Sequence, residues 1–287
     1  MAFLFYFERM NQIWYNGKFY SADDPVFPAS NKSYRYGDGL FETIRTKNGK
    51  AILSQFHFER LFSSLETLKI SLPSLFSKNS LENDIARLCQ KNNCLETARV
   101  RLSVCRGNGG LYDGDNKFQY LIECWPLENA SDRLNENGLI IDVFPDARKS
   151  TDKFSNLKSA NFLAYAMAAI WAKENKLNDA LILNTHERIS DATIANIFWL
   201  KDGIIFTPSL SEGCVAGVMR RFLMENLLLS AYQVFEKELA VAELEQADEV
   251  FLTNAVYGIK WVQQFRGGKY PLKITSEIFS KLIKPLF

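Results

Sequence analysis

Three charged residues in this chain have types and settings that could do chemistry, although taken singly each has a plainer reading. Lys158 lies in "FSNLKSANFLAY", a stretch almost free of other charge at the start of an apolar helical run. A lysine becomes a nucleophile toward carbonyls when burial or a nearby cation lowers its pKa, and this setting suits a semi-buried amine. Asp191 falls in "ERISDATIANIFWL", where Ile189, Asp191, Thr193 and Ala195 alternate onto one face of a strand. A carboxylate on such a face is costly to desolvate unless a cation meets it; an edge strand facing water is the plainer alternative. Arg60, in "HFERLFSSL", lies beside the apolar stripe of a helix and not opposite it. From there a guanidinium reaches a phosphate, or its stem simply covers the core.

Two glycine-bearing segments add possible anion chemistry. "EGCVAGVMRRFLMENLL" sets Gly217 before a helix whose first free amides belong to Val218 and Met219, a natural anion site although any helix can begin this way. "CRGNGGLYDGD" is a glycine loop with Arg106 at its base; it reads as a hairpin turn or as a place where a substrate approaches the backbone. A nucleotide P-loop is not supported, because GxxxxGK is absent.

The elements that must carry these residues follow from periodicity. "IWYNGKFY" and "GLFETIRTKNGKAIL" read as hairpins turning at Asn-Gly. Phe58, Leu61, Phe62, Leu65 and Leu68 recur at helical spacing with Pro73 as the stop, and "NDIARLCQKNN" continues as helix. "TARVRLSVCRG" and "KFQYLIECWP" alternate as strands. A polar run from Pro126 to Gly138 has no apolar period. It divides an N-terminal α/β domain (1–126) from a linker (127–137) and a strand-rich C-terminal domain (138–287). In the latter, "LIIDVF" reads as strand, a helix runs through Lys176, and residues 179–208 read as three short strands. "VAGVMRRFLMENLLLSA" then reads as helix and "DEVFLTNAVYGIKWVQQF" as strand, an α+β arrangement.

Composition excludes several classes. Lys plus Arg number 34 against 33 for Asp plus Glu, so no basic field exists to hold nucleic acid or an anionic membrane. Five cysteines without a CxxC pair, beside only two histidines, support neither a zinc cluster nor a disulfide framework; a reduced cytoplasmic protein is expected. The apolar start "MAFLFYFERM" is interrupted at Glu8 and Arg9, too soon for a membrane span and without signal-peptide features, and Met10 is an alternative start.

Taken in order, these segments resemble the class IV aminotransferases, the fold-type IV enzymes that use pyridoxal 5'-phosphate (PLP). "YRYGDGLFETIR" is similar to the family's N-terminal signature, "HFERLFSSL" to its phosphate-binding arginine helix, "LKSAN" to its Schiff-base lysine segment, and "ISDATIANIFWLKDGIIFTP" with "VAGVMRRF" to its longest motif. The resemblance implies two α/β domains with the cofactor at their interface, and a homodimer. It implies that Lys158 carries PLP, that Arg60 and the amides of Val218 and Met219 hold the phosphate, and that Val215 packs the ring. Asp191 takes the place of the family's glutamate opposite the pyridine nitrogen. Asn254 and Ala255 resemble the Asn-Ala of aminodeoxychorismate lyases, and "RGNGG" their glycine loop. That implies a lyase giving 4-aminobenzoate and pyruvate, with a branched-chain or D-amino acid aminotransferase as the alternative and a PLP binder without catalysis as the third reading. Tyr36, Arg106 and Tyr112 are the expected substrate contacts. Arg35 and Lys260 are further candidates for the substrate carboxylate, because Leu111 stands where related enzymes carry a second arginine.

Overall fold

The computed structural model describes residues 12–113, 116–127, 133–230 and 232–287. The start at Met1–Arg9 and the centre of the expected linker, 128–132, lie outside them. The chain divides into two compact units. Among the described residues no helix is long and apolar enough to cross a membrane.

The first unit is one antiparallel sheet with helices on it. Strands β1 (Gln12–Tyr15) and β2 (Lys18–Ser21) form the expected hairpin, Asn16 and Gly17 both taking positive φ as a tight primed turn requires. A short α1 (Lys32–Tyr36) is capped by the Asn31 side chain. Next come β3 (Gly39–Lys47), β4 (Lys50–Ala51), α2 (Ser54–Thr67), α3 (Lys78–Lys91), β5 (Thr97–Cys105) and β6 (Gln119–Pro126). The sheet order is β2-β1-β6-β5-β3-β4. Helix α2 buries Phe58, Leu61 and Leu65, and α3 buries Leu81, Ile85, Leu88 and Cys89. Leu68, part of the expected stripe, is the C-cap of α2: Lys69 turns to positive φ and the Ile70 amide donates back to the Leu65 carbonyl, so the helix ends before Pro73 is reached.

Residues Lys158–Asn161 group with this unit although chain order sets them among the C-terminal elements. The Phe41 amide donates to the Lys158 carbonyl (2.9 Å), the Ala160 amide donates to the Gly39 carbonyl (2.8 Å), and Leu40 bridges Ser159. The lysine segment is thus pinned along β3 by backbone hydrogen bonds.

The second unit is a mixed sheet. Its elements are β7 (Leu139–Lys149), α4 (Leu163–Glu174), β8 (Asp179–Asn184), β9 (Ile189–Ala192), β10 (Asn196–Lys201), β11 (Ile204–Thr207), α5 (Val218–Leu228), β12 (Val234–Glu236), α6 (Val241–Glu245), β13 (Glu249–Asn254), β14 (Gly258–Phe265), β15 (Gly268–Lys269) and α7 (Ile274–Ile278). The order is β12-β11-β10-β13-β14-β7-β8-β9, with β15 on β14. Residues 179–208 hold four strands, not three. The chain breaks after Ala192, where Thr193 turns its amide (3.2 Å) and hydroxyl (2.6 Å) onto Asp179 Oδ1. Trp199, Leu252, Val262 and Phe265 are fully buried in the core of this unit.

Candidate active site

Around Lys158 the first unit assembles a charged cluster and a cavity. Lys158 is half-buried, and its Nζ lies 4.4 Å from the centroid of the Phe41 ring. The Arg101 guanidinium lies 3.8 Å from the same centroid, so one ring face system serves two cations. On the next residue of β3, the buried Glu42 accepts a forked pair from Arg60 (Nε–Oε1 2.8 Å, Nη2–Oε2 2.5 Å) and a bond with His57 Nδ1 at 2.6 Å. His57 and Arg60 share a face of α2 because they are three residues apart. Burial pushes the His57 pKa down, only partly opposed by Glu42. The imidazole is therefore neutral and donates from Nδ1, and its buried Nε2 has no hydrogen-bond partner among the described residues.

Beside Phe41 opens a cavity of about 580 Å³ lined by Phe27, Tyr34, Leu40, Phe41, Arg101 and Ala160, among others. Arg101 also makes a long ion pair with Glu123, 3.9 Å from Nε to Oε2. Arg106 is placed differently: it donates to Asp38 (2.7 Å) and to the carbonyls of Leu68 (2.5 Å) and Lys69 (3.3 Å), closing the end of α2. Tyr36 is exposed at the end of α1, and Tyr112 is fully exposed in the glycine loop. Arg35 donates to the carbonyls of Ala29 and Gly109.

In the second unit Asp191 is 1% exposed although β9 lies at the sheet edge. Lys149 Nζ (2.9 Å), the Tyr165 hydroxyl (3.0 Å) and the Val215 amide (2.9 Å) all donate to its Oδ2. Among the described residues Oδ1 receives the Tyr165 hydroxyl alone, at 3.2 Å. A carboxylate accepts about four hydrogen bonds, so Oδ1 keeps capacity for another donor. Lys149 also donates to Tyr165, and burial followed by the Asp191 charge pushes the tyrosine pKa well up, keeping its proton in place.

The Val215 segment leads straight into α5. Gly217 is the N-cap and offers no side-chain acceptor, so the helix start lacks the usual cap. A Cβ at Gly217 would sit 1.8 Å from Asn196 Oδ1, and the Asn196 amide donates to the Val215 carbonyl (2.8 Å). Asn196 therefore fixes the approach to Val218 and Met219, both buried. At the end of β13, Asn254 Oδ1 accepts the amides of Val256 and Tyr257, and its Nδ2 donates to the Ile194 carbonyl, with Ala255 half-buried beside it. Lys260 donates to the Arg133 carbonyl.

The sequence profile described as Amino-transferase class IV matches residues 39–265, which takes in Lys158, Arg60, Asp191 and the start of α5. The chain belongs to the class IV aminotransferase family. It is 29% identical over 235 residues to an aminodeoxychorismate lyase of Vibrio harveyi, covering 81% of this chain and 84% of the relative. It is 25% identical over 289 residues to a branched-chain-amino-acid aminotransferase of Pseudomonas aeruginosa, covering 98% and 93%. Its fold superposes on a branched-chain aminotransferase from Thermoproteus uzoniensis with a TM-score of 0.86 over 96% of this chain and 94% of that one, at 22% identity. The protein is an enzyme of this family with the fold-type IV architecture, a class of PLP-dependent enzymes.

Four residues of the clusters described here gave no signal in the sequence reading: Glu42, Arg101, Lys149 and Tyr165. Each sits at an ordinary alternating or helical position, and only its three-dimensional partner marks it. Glu42 lies on a strand buried on both faces, which the sequence alone does not announce.

Proposed function

We propose that this enzyme is a PLP-dependent 4-amino-4-deoxychorismate lyase, giving 4-aminobenzoate and pyruvate. The observation that carries the reading is the cavity beside Phe41: about 580 Å³, with Phe27, Tyr34, Phe41 and Arg101 in its lining, and with Lys158 Nζ 4.4 Å from the Phe41 ring centroid. A small amino acid needs far less apolar wall, whereas a cyclic dicarboxylate amine fills such a space and meets one guanidinium.

The residues present fit PLP. An uncapped helix start at Gly217 suits a phosphate through the Val218 and Met219 amides. Arg60, held in a fixed plane by Glu42, is a further cationic candidate for the phosphate. Val215 would pack the ring, and Asn254 and Ala255 would border the phosphate. When bound, PLP supplies an electron sink. Asp191, ion-paired with Lys149, would be the acidic partner of the pyridine nitrogen and favour its protonated form. Its arm is one methylene shorter than glutamate, and the Val215 amide and Tyr165 hydroxyl fix its plane. Lys158 Nζ would be the base that takes the proton from the amine-bearing ring carbon. Arg101, in the cavity lining, would anchor a substrate carboxylate; Tyr36, Arg106 and Tyr112 are not among the lining residues.

A homodimer in the cytoplasm belongs to the same proposal. Leu163, Met167 and Ile170 leave an exposed apolar stripe on α4 that a second copy would cover. The second reading, an amino acid aminotransferase, draws on the P. aeruginosa relative, whose alignment spans 98% of this chain.

The test gives the PLP-loaded enzyme aminodeoxychorismate without any oxo acid and follows both products. Steady release of 4-aminobenzoate and pyruvate is expected, with Arg101→Leu lowering kcat/KM roughly 10- to 100-fold, mainly through KM. Turnover only after 2-oxoglutarate is added would make the chain an aminotransferase. No turnover under either condition would leave a PLP binder without catalysis.

A further inference from the structure

Three of the five cysteines meet inside the first unit, in a cluster that the reaction above does not use. Cys89 lies near the end of α3, Cys94 in the connection to β5, and Cys124 on β6. Cys94 Sγ is 3.4 Å from Cys124 Sγ, and all three sulfurs lie within 4.8 Å of one another. Their exposures are 0, 3 and 1%, so the group is sealed from solvent. Two polar groups touch it: Asn92 Nδ2 donates to Cys124 Sγ at 3.3 Å, and Thr46 Oγ1 lies 4.0 Å from Cys89 Sγ. Nothing in the spacing 89, 94, 124 announces a ligand motif; the α3-to-sheet packing creates the cluster.

We propose that Cys89, Cys94 and Cys124 form a trigonal binding site for a soft, thiophilic monovalent cation of the Cu(I) type. Three sulfurs around a metal at about 2.3 Å stand about 4.0 Å apart, inside the range this fold already holds them in. Among the described residues no imidazole or carboxylate joins the group. Structural zinc takes four ligands, so an all-sulfur set of three favours a cation content with low coordination and soft donors. Binding one Cu(I) releases the three thiol protons to solvent and leaves a tris-thiolate complex of net charge −2; no electron moves. The Asn92 amide draws off part of the remaining negative charge on sulfur, which an apolar interior would otherwise penalise. Occupancy would staple α3 and the Cys94 connection to β6. The plain alternative is three small side chains filling core volume.

The experiment uses the full-length, PLP-loaded, reduced protein under anaerobic conditions, with Cu(I) supplied as its bicinchoninate complex. The protein is expected to remove one equivalent of Cu(I) from the chelator, and absorption at the copper edge to report three sulfur neighbours at about 2.3 Å. Cys124→Ala and Cys94→Ser should each abolish the transfer, while Cys105→Ala retains it; zinc in the same competition should not be held. If one of the two cluster variants fails to fold, the other and the copper-edge spectrum carry the test. No transfer from the chelator, transfer that survives in both cluster variants, or a spectrum with fewer than three sulfurs would overturn the site.

Discussion

Replacing Glu42 by glutamine removes a buried charge on which two neighbours depend. Glu42 is 1% exposed and accepts from Arg60 at both oxygens and from His57 Nδ1. Burial alone would push its pKa up; the Arg60 charge, with hydrogen bonds from His57 and Arg60, outweighs burial and holds the carboxyl at about 2, down from 4.5. A carboxyl with a lower value folded than unfolded stabilises the fold above the unfolded value, and the contribution is lost as pH falls through the folded one. At about 1.36 kcal/mol per pH unit, the fall from 4.5 to about 2 is worth ~3 kcal/mol at neutral pH. Glutamine keeps the shape but leaves Arg60, with a side chain only 12% exposed, without its counter-ion. The cost should therefore sit at the lower end of the ~3–5 kcal/mol known for broken buried pairs. Guanidinium denaturation of both proteins across a pH series measures it. Glu42→Gln should be about 3 kcal/mol less stable at neutral pH, and the gap should close as pH drops from 4.5 toward 2. A gap below ~1 kcal/mol at neutral pH, or one that ignores pH, refutes the reasoning.

Asp179 is the converse case, because burial raises its carboxyl to about 6 despite donors from Thr193 and Ala180. The fold then pays to ionise it as pH rises from 3.8 toward 6, and Asp179→Asn, which keeps the acceptor, should stabilise by ~1–3 kcal/mol at neutral pH and add nothing near pH 4 in the same denaturation assay. Lys149→Met strips the counter-charge from Asp191 and should cost ~3–5 kcal/mol, much of it recovered in Lys149→Met with Asp191→Asn. A neutral single variant would show that the pair contributes nothing. Gly217→Ala drives a methyl into Asn196 Oδ1 and should weaken PLP binding roughly tenfold or more in an absorbance titration. Unchanged affinity would mean that the phosphate sits elsewhere.

What could be read in advance depended on the range of the interaction. The Asn16-Gly17 and Asn48-Gly49 turns are local chemistry and formed where the sequence put them. The α2 stripe is also local, and missed only by one turn because Leu68 caps the helix instead of continuing it. Lys158 and Asp191 stood out because charge was scarce around them. Lys149 did not, since "ARKSTDKF" reads as a solvated charge run and its partner lies 42 residues along the chain. Arg101 sits on a strand that alternates like any other, and its place in a cavity wall is set by the sheet. The division at Thr193 was hidden because its cause, the Asp179 carboxylate, belongs to another strand. The backbone bonds that tie Lys158–Asn161 to β3 span more than a hundred residues, beyond any local pattern.

The most direct measurement is borohydride reduction of the PLP-loaded enzyme followed by peptide mass mapping. Reduction should fix one phosphopyridoxyl group per chain on the peptide containing Lys158, and Lys158→Ala should carry none there while still binding PLP reversibly. Label on another lysine, or none on a protein that holds PLP, would contradict the assignment of Lys158 and the chemistry built on it.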